Sequence, residues 1–140
     1  MRSLLALGQG FYYLATGVWP LVSMRSFEAV TGPKLDRWLV NTVGVLVSVI
    51  GITLLLAGRR ERVTAERALL AAGSAAGLAA VDTVYASKGR ISKVYLLDAI
   101  VEVILVAAWI LAMRARKLEG ASPAAGLKNL QGLWGWLSKA

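Results

Sequence analysis

Histidine and cysteine are both absent from the 140 residues. Without cysteine there is no disulfide, no thiolate metal site and no thiol nucleophile. Without histidine the usual general base and the commonest zinc and haem ligand are missing. Charge is sparse as well. Only 17% of the residues are charged, and 8 acidic residues stand against 16 basic ones, a net charge of +8. What is present is apolar: 57% of the chain is hydrophobic and the mean hydropathy is +0.62. Soluble domains sit nearer 45–50% apolar and about 25% charged. The composition therefore excludes disorder and argues against a soluble globule, while the length suits one domain of ordinary size.

The apolar residues fall into four runs separated by charged punctuation. The runs cover about 3–24, 38–58, 68–87 and 94–113. The first two carry no charge, the third contains Asp82, and the fourth contains Asp98 and Glu102. Each has the length of about 20 residues that a helix needs to cross roughly 30 Å of hydrocarbon. They are apolar all round rather than along one stripe, as spans are and soluble amphipathic helices are not. The expected fold is an all-α integral membrane protein: four transmembrane helices in a compact bundle over residues 1–117, then a linker and tail over 118–140. A cleaved signal peptide does not suit the first run, which is too long and lacks a small-residue cleavage site.

The connections carry local signals. Phe27 and Val30 lie three apart in the first loop, and Gly32-Pro33 stops any short helix there, so that segment is expected to lie flat at the surface. Thr64 suits the N-cap of the third span, with Glu66 in its first turn. Gly89 suits the end of the third span and Ser92 the N-cap of the fourth. In the tail, Leu127, Leu130, Trp134 and Leu137 form a stripe too short to span, expected as an amphipathic helix in the membrane interface with Trp134 and Trp136 at headgroup depth.

Basic residues set the orientation. Arg2, Arg59, Arg60, Arg62, Arg67, Arg114, Arg116, Lys117, Lys128 and Lys139 belong to the side that holds both termini, 10 in all. Arg25, Lys34, Arg37, Lys88, Arg90 and Lys93 belong to the other side, 6 in all. The bias puts both termini in the cytoplasm and the protein in the plasma (inner) membrane, in contact with the lipid bilayer. Basic residues at both membrane surfaces explain the net charge through headgroup contact. Nucleic acid is not an expected partner, because no soluble basic face with interleaved aromatics is present.

Small residues mark where helices can approach in lipid. The third span is rich in Ala and Gly, with Gly73 and Gly77 at G-x-x-x-G spacing. It is expected at the centre of the bundle or at a subunit interface. In the second span Asn41, Gly44, Ser48 and Gly51 repeat as a heptad-like seam. In the first, Gln9, Tyr13, Thr16 and Pro20 share one face, more as glue between helices than as ligands.

The intramembrane acids carry the functional reading, since a carboxylate inside a bilayer is costly. Asp98 and Glu102 are four apart, on one helix face. With the third helix running outward and the fourth inward, Asp82 and Asp98 lie near the outer ends, and Glu102 lies about 6 Å deeper. Asn41, Thr16 and Trp19 are expected at similar depth, Tyr13 within reach of Glu102, and Tyr85 and Tyr95 beside the connection. The expected ligand-binding set is Glu102, Asp98, Asp82, Asn41, Tyr13, Thr16, Trp19 and Tyr85, lining an outward-facing vestibule. In the competing account, Arg37, Lys88, Arg90 or Lys93 folds inward and pairs with Asp82 or Asp98. Glu102 differs, because its depth leaves few cationic partners within reach: it is expected to be protonated, hydrogen-bonded to Tyr13, Thr16 or Asn41, or charged around a bound cation.

The segment Ser26-Phe27-Glu28-Ala29-Val30-Thr31-Gly32-Pro33-Lys34-Leu35-Asp36-Arg37-Trp38-Leu39-Val40 resembles small bacterial membrane proteins, and the four-span layout is similar to that of the DoxX-like group. The resemblance implies a four-span membrane fold and transfers no catalytic motif. Small multidrug transporters share the span number, but their essential glutamate lies in the first span, which has no acid here. That mismatch, with the 10 to 6 charge bias, argues against a dual-topology exporter. Two function classes stand in front: binding or transport of a small cation, proton or lipophilic amine, and a structural or accessory subunit of a homo-oligomer or larger membrane complex. Catalysis is not expected, because only carboxylate and tyrosine acid–base chemistry is left. Neither a cofactor nor a metal is expected.

Overall fold

The computed structural model describes residues 1–61 and 63–120. Arg62 and the 121–140 tail, with its expected interfacial helix and its Trp134 and Trp136, lie outside the described residues. Five helices follow in order: α1 (Arg2–Val22), α2 (Met24–Thr31), α3 (Arg37–Arg59), α4 (Ala65–Ser87) and α5 (Tyr95–Gly120). There is no strand among the described residues. Three helices are long and apolar enough to cross a membrane: Arg37–Arg59, Ala65–Ser87 and Tyr95–Ala115. α1, 21 residues long, is not among them. Gln9, Tyr12, Tyr13, Thr16, Trp19 and Pro20 dilute its apolar content.

The α3 sequence shows why lipid matters to the fold. Val43, Val45, Val47, Val49 and Ile52 are strand formers in water. They stand in a 23-residue α-helix, the structure that satisfies every backbone group within one segment when no water is present. Its outer surface is apolar: Val43, Val45, Leu46, Val49, Ile52 and Leu56 are all exposed. Only 22% of its most apolar window is buried, 28% in α4 and 22% in α5. In water such a surface is an association liability; in hydrocarbon it matches the solvent.

The turns follow the residues that need unusual backbone. α1 ends at Ser23, whose side chain accepts a hydrogen bond from the Ser26 amide and starts α2. α2 stops at Gly32, φ +83°, a conformation that favours glycine, and Pro33 follows. Gly89, φ +66°, closes α4, and Ser92 Oγ accepts from the Val94 amide just before α5 at 3.3 Å. Thr64 sits at the α4 N-cap, but its side chain makes no capping hydrogen bond.

α1 and α3 run antiparallel, with backbones in contact. A Cβ added to Gly10 would lie 2.8 Å from Gly51 O, and one added to Gly17 would lie 2.7 Å from Gly44 O. Ser48 and Gly51 are buried in this seam, as the heptad-like spacing predicts, whereas Asn41 is exposed. Gly44 meets Pro20 and Leu21 in the last turn of α1, and Asn41 stands one turn of α3 beyond that contact. α5 is antiparallel to α1: Arg2 Nε reaches Ala112 O at 3.4 Å, while Tyr13 reaches Glu102. Met1, Thr64, Ala65 and Ala115 therefore meet at one end, and α2 packs at the other. The apolar core of Ala6, Leu54, Ala68, Ala71 and Trp109 lies toward the Met1 end.

Gly73 and Gly77 do not take part in this packing. Both are exposed, and a Cβ at either would meet nothing within 4 Å. α4 instead buries Ala68, Ala71, Ala75, Ala79, Asp82 and Ala86. The G-x-x-x-G spacing makes no close approach among the described residues.

Candidate functional site

A polar layer runs along the interior where α1 faces α5. On α5, Asp98, Glu102 and Trp109 follow at i, i+4 and i+11, which brings them to one side of the helix. On antiparallel α1, Tyr12, Tyr13 and Gln9 meet them respectively. Tyr12 Oη donates to Asp98 Oδ1. Tyr13 Oη donates to Glu102 Oε2 at 2.9 Å. Trp109 Nε1 donates to Gln9 Oε1 at 2.7 Å, and Gln9 Nε2 donates to Ala71 O of α4 at 2.9 Å. Tyr12 and Tyr13 are neighbours in sequence and point about 100° apart around α1, so they engage two acids one turn apart on α5. Gln9, at 0% exposure, ties three helices together, and Glu102 is 1% exposed. Unpaired polar groups at such depth are costly, so the tyrosine and glutamine partners account for much of how this layer holds its shape.

At the α2 end the layer opens into a cavity of about 260 Å³. Its walls are Tyr12, Thr16 and Trp19 from α1, Phe27, Val30 and Thr31 from α2, and Val94, Tyr95, Leu97, Asp98 and Val101 from the start of α5. Asp98 is its one acid. The α2 wall is latched to α1. Trp19 Nε1 donates to Ser26 Oγ at 2.9 Å, and the Trp19 and Phe27 rings meet edge to face at 5.6 Å between centroids. Thr16 spends its hydroxyl on Tyr12 O at 2.8 Å, so it shapes the wall without presenting a free donor.

Asp82 lies beside this cavity without lining it. It is 5% exposed, and its Oδ2 is buried with no hydrogen-bond partner among the described residues. No ion pair to Asp82, Asp98 or Glu102 is found among the described residues. Arg37, a candidate partner for Asp82 or Asp98, instead forks onto Glu28 at the surface, at 3.0 Å and 2.8 Å. That guanidinium holds the Glu28 carboxyl below its usual range. Lys34 Nζ donates to Thr31 O at 3.0 Å and sits over the Tyr95 ring, 4.7 Å from its centroid. No group of three or more acidic side chains among the described residues is arranged to hold a metal ion.

Of the eight residues expected to share one vestibule, Asp98, Thr16 and Trp19 line the cavity. Glu102 and Tyr13 form a buried pair deeper in the layer, and Asp82 is buried behind it. Asn41 and Tyr85 lie apart from the group, exposed on α3 and α4. Tyr85 sits about 100° around the helix from buried Ala86, which turns it outward. Tyr12 and Trp109 were not singled out by sequence, although both make hydrogen bonds in the layer. Tyr12 could have been found by asking which α1 residue pairs with a second acid one turn from Glu102. Phe27 shows its amphipathic spacing in the sequence but not its role as a wall.

No protein-family model, curated protein or solved structure matches the chain. The site's chemistry therefore rests on its own geometry: a carboxyl, Asp98, in an aromatic-walled cavity.

Proposed function

We propose that the protein is a four-span membrane protein whose α2-end cavity binds a small lipophilic ammonium. Asp98 at the cavity wall carries the reading, because it faces the space with aromatic neighbours and without a cationic partner among the described residues. An ammonium there donates a charge-assisted hydrogen bond to the carboxylate and is attracted to the faces of Tyr12, Trp19, Phe27 and Tyr95. The volume lies just under the roughly 300–1,000 Å³ range of drug-sized pockets, which favours a small ligand. α1 serves as the fourth span in this reading, its polar side chains turned inward onto α5 and away from lipid. The 10 to 6 distribution of basic residues puts the Met1 end in the cytoplasm of a bacterial cell and the cavity on the outer side.

The test is thermal stability of the purified protein with a panel of lipophilic primary amines and alkali cations. Amines at about one hundred times their Kd should add about 2.7 kcal/mol to the folded state. Asp98→Asn should abolish that stabilisation while keeping the fold. Equal amine stabilisation of the two proteins rejects the site.

One observation favours a second reading, an accessory subunit of a larger membrane complex. The Gly73 and Gly77 face of α4 is open, as a surface awaiting another helix is. Stoichiometric co-purification of one partner, lost in Gly77→Leu, separates this reading from the first.

A further inference from the structure

We infer that the ligand of this cavity is a zwitterion, an ammonium joined by a short linker to an anionic oxygen group, with the ammonium at Asp98 and the anion at Lys34. The inference rests on the ammonium reading above and adds the second charge. Lys34 is brought to the cavity edge by the chain's own geometry. Gly32, φ +83°, and Pro33 turn the chain after α2. The Lys34 amide then donates to Glu28 Oε1 at 3.1 Å. Its Nζ donates to Thr31 O at 3.0 Å and lies 4.7 Å from the Tyr95 ring centroid and 5.9 Å from that of Phe27. Thr31, Tyr95 and Phe27 are all cavity walls, so the ammonium stands on the rim.

That ammonium has no ion pair among the described residues, because the nearby Glu28 carboxylate is taken by both arms of Arg37. The cavity wall thus holds a carboxyl, Asp98, and beside the walls stands an ammonium, Lys34, neither of them in an ion pair among the described residues. Tyr95, under Lys34, and Asp98 are three residues apart on α5, neighbouring positions about 5–6 Å apart on one helix face. A bare ammonium entering this space meets repulsion from Lys34 before it reaches Asp98. A zwitterion with its ammonium at Asp98 and its anion at Lys34 is attracted at both ends. Val30, Val94 and Leu97 in the same walls accept an alkyl continuation.

The same chemistry belongs to a lipid headgroup and to a free small molecule, so the experiment has two arms. In the first, calorimetric titration of the detergent-purified full chain compares ethanolamine with O-phosphoethanolamine. In the second, it compares short-chain phosphatidylethanolamine with an alkylamine of the same chain length. The zwitterion should bind about tenfold more tightly than its amine counterpart in at least one arm, as expected for an added charge-assisted contact. A preference in the lipid arm alone assigns the ligand to the membrane, and a preference in both assigns recognition to the headgroup. Lys34→Gln should erase the preference while binding the plain amine as well as or better than wild type, and Lys34→Arg should retain it. Amine binding that depends on Asp98 but shows no zwitterion preference, or a preference that survives Lys34→Gln, overturns this inference alone. Absence of any Asp98-dependent binding overturns the ammonium reading as well.

Discussion

The helix pairs α1–α3 and α4–α5 bring two helices together in different ways. α1 and α3 meet backbone to backbone. Gly10 faces Gly51, Gly17 faces Gly44, and Gly58 lies against Ser3 O and Leu7. α4 is richer in small residues, yet Gly73 and Gly77 face open space. α5 presents Ala99, Glu102, Trp109 and Ala112 inward, so the second pair is assembled with large and polar side chains that also reach α1. A small residue permits close approach only where the opposite helix has a matching gap. One thin helix is not by itself a tight interface.

The widest gap between the pairs is expected from Gly51→Leu and Gly77→Leu. The first drives a side chain into Leu14 N, 2.7 Å from an added Cβ, and Gly10 O, 2.8 Å away. Both are backbone atoms that cannot yield without moving a helix, and overpacking of this kind costs about 1–3 kcal/mol or more. Gly77→Leu enters open space and should leave the thermal stability of the monomer within about 0.5 kcal/mol. Equal losses in thermal unfolding break the comparison. A change in assembly size with Gly77→Leu, at unchanged monomer stability, sharpens it by assigning that face to another chain.

A smaller loss is expected at the polar layer. Gln9→Leu keeps the volume but leaves Trp109 Nε1 buried without its acceptor, at a cost of about 1–3 kcal/mol. Thermal unfolding of Gln9→Leu beside Trp109→Phe and the double variant measures the coupling. Additive losses mean that the two side chains do not act together, and their hydrogen bond then does not couple α1 to α5.

The smallest effect concerns the loop that closes the α2 end. Because Arg37 lowers the Glu28 pKa in the folded protein, the pair contributes stability above the unfolded Glu value of about 4.3. That contribution is lost as pH falls through the lower folded value. Both partners are near the surface, so the effect should be local. Hydrogen exchange at the Lys34 amide, which donates to Glu28, should quicken as pH falls through that range beyond the intrinsic pH trend, and Glu28→Gln should remove the transition. An unchanged profile in Glu28→Gln counts against the pair as the loop's anchor.

Several features were legible because they depend only on neighbours in sequence. Gly32 and Gly89 take the positive φ that their positions in the turns suggested. Gly44, Ser48 and Gly51 are buried on the side their spacing marked. Asp98 and Glu102, four apart, fall on one side of α5 and both meet α1. Asn41 continues the same α3 stripe yet is exposed. Tyr12 and Trp109 were hidden. An aromatic residue in an apolar run reads as lipid-facing or core until its polar tip has a partner.

The sequence by itself determined that the described part of the chain is helical and marked four apolar runs, of which three form helices long and apolar enough to cross a membrane, since length, hydropathy and turn chemistry are local properties. Tertiary structure decided which side of each helix turns inward. A helix that is apolar all round carries no strong stripe to set its rotation about its own axis. That rotation is chosen by every neighbour at once: the glycine contacts of α3 orient α1, and α1 in turn presents Gln9, Tyr12 and Tyr13 to α5. For this reason Asp98, and not Glu102 or Asp82, reaches the cavity, and Gly73 and Gly77 are left on the outer surface.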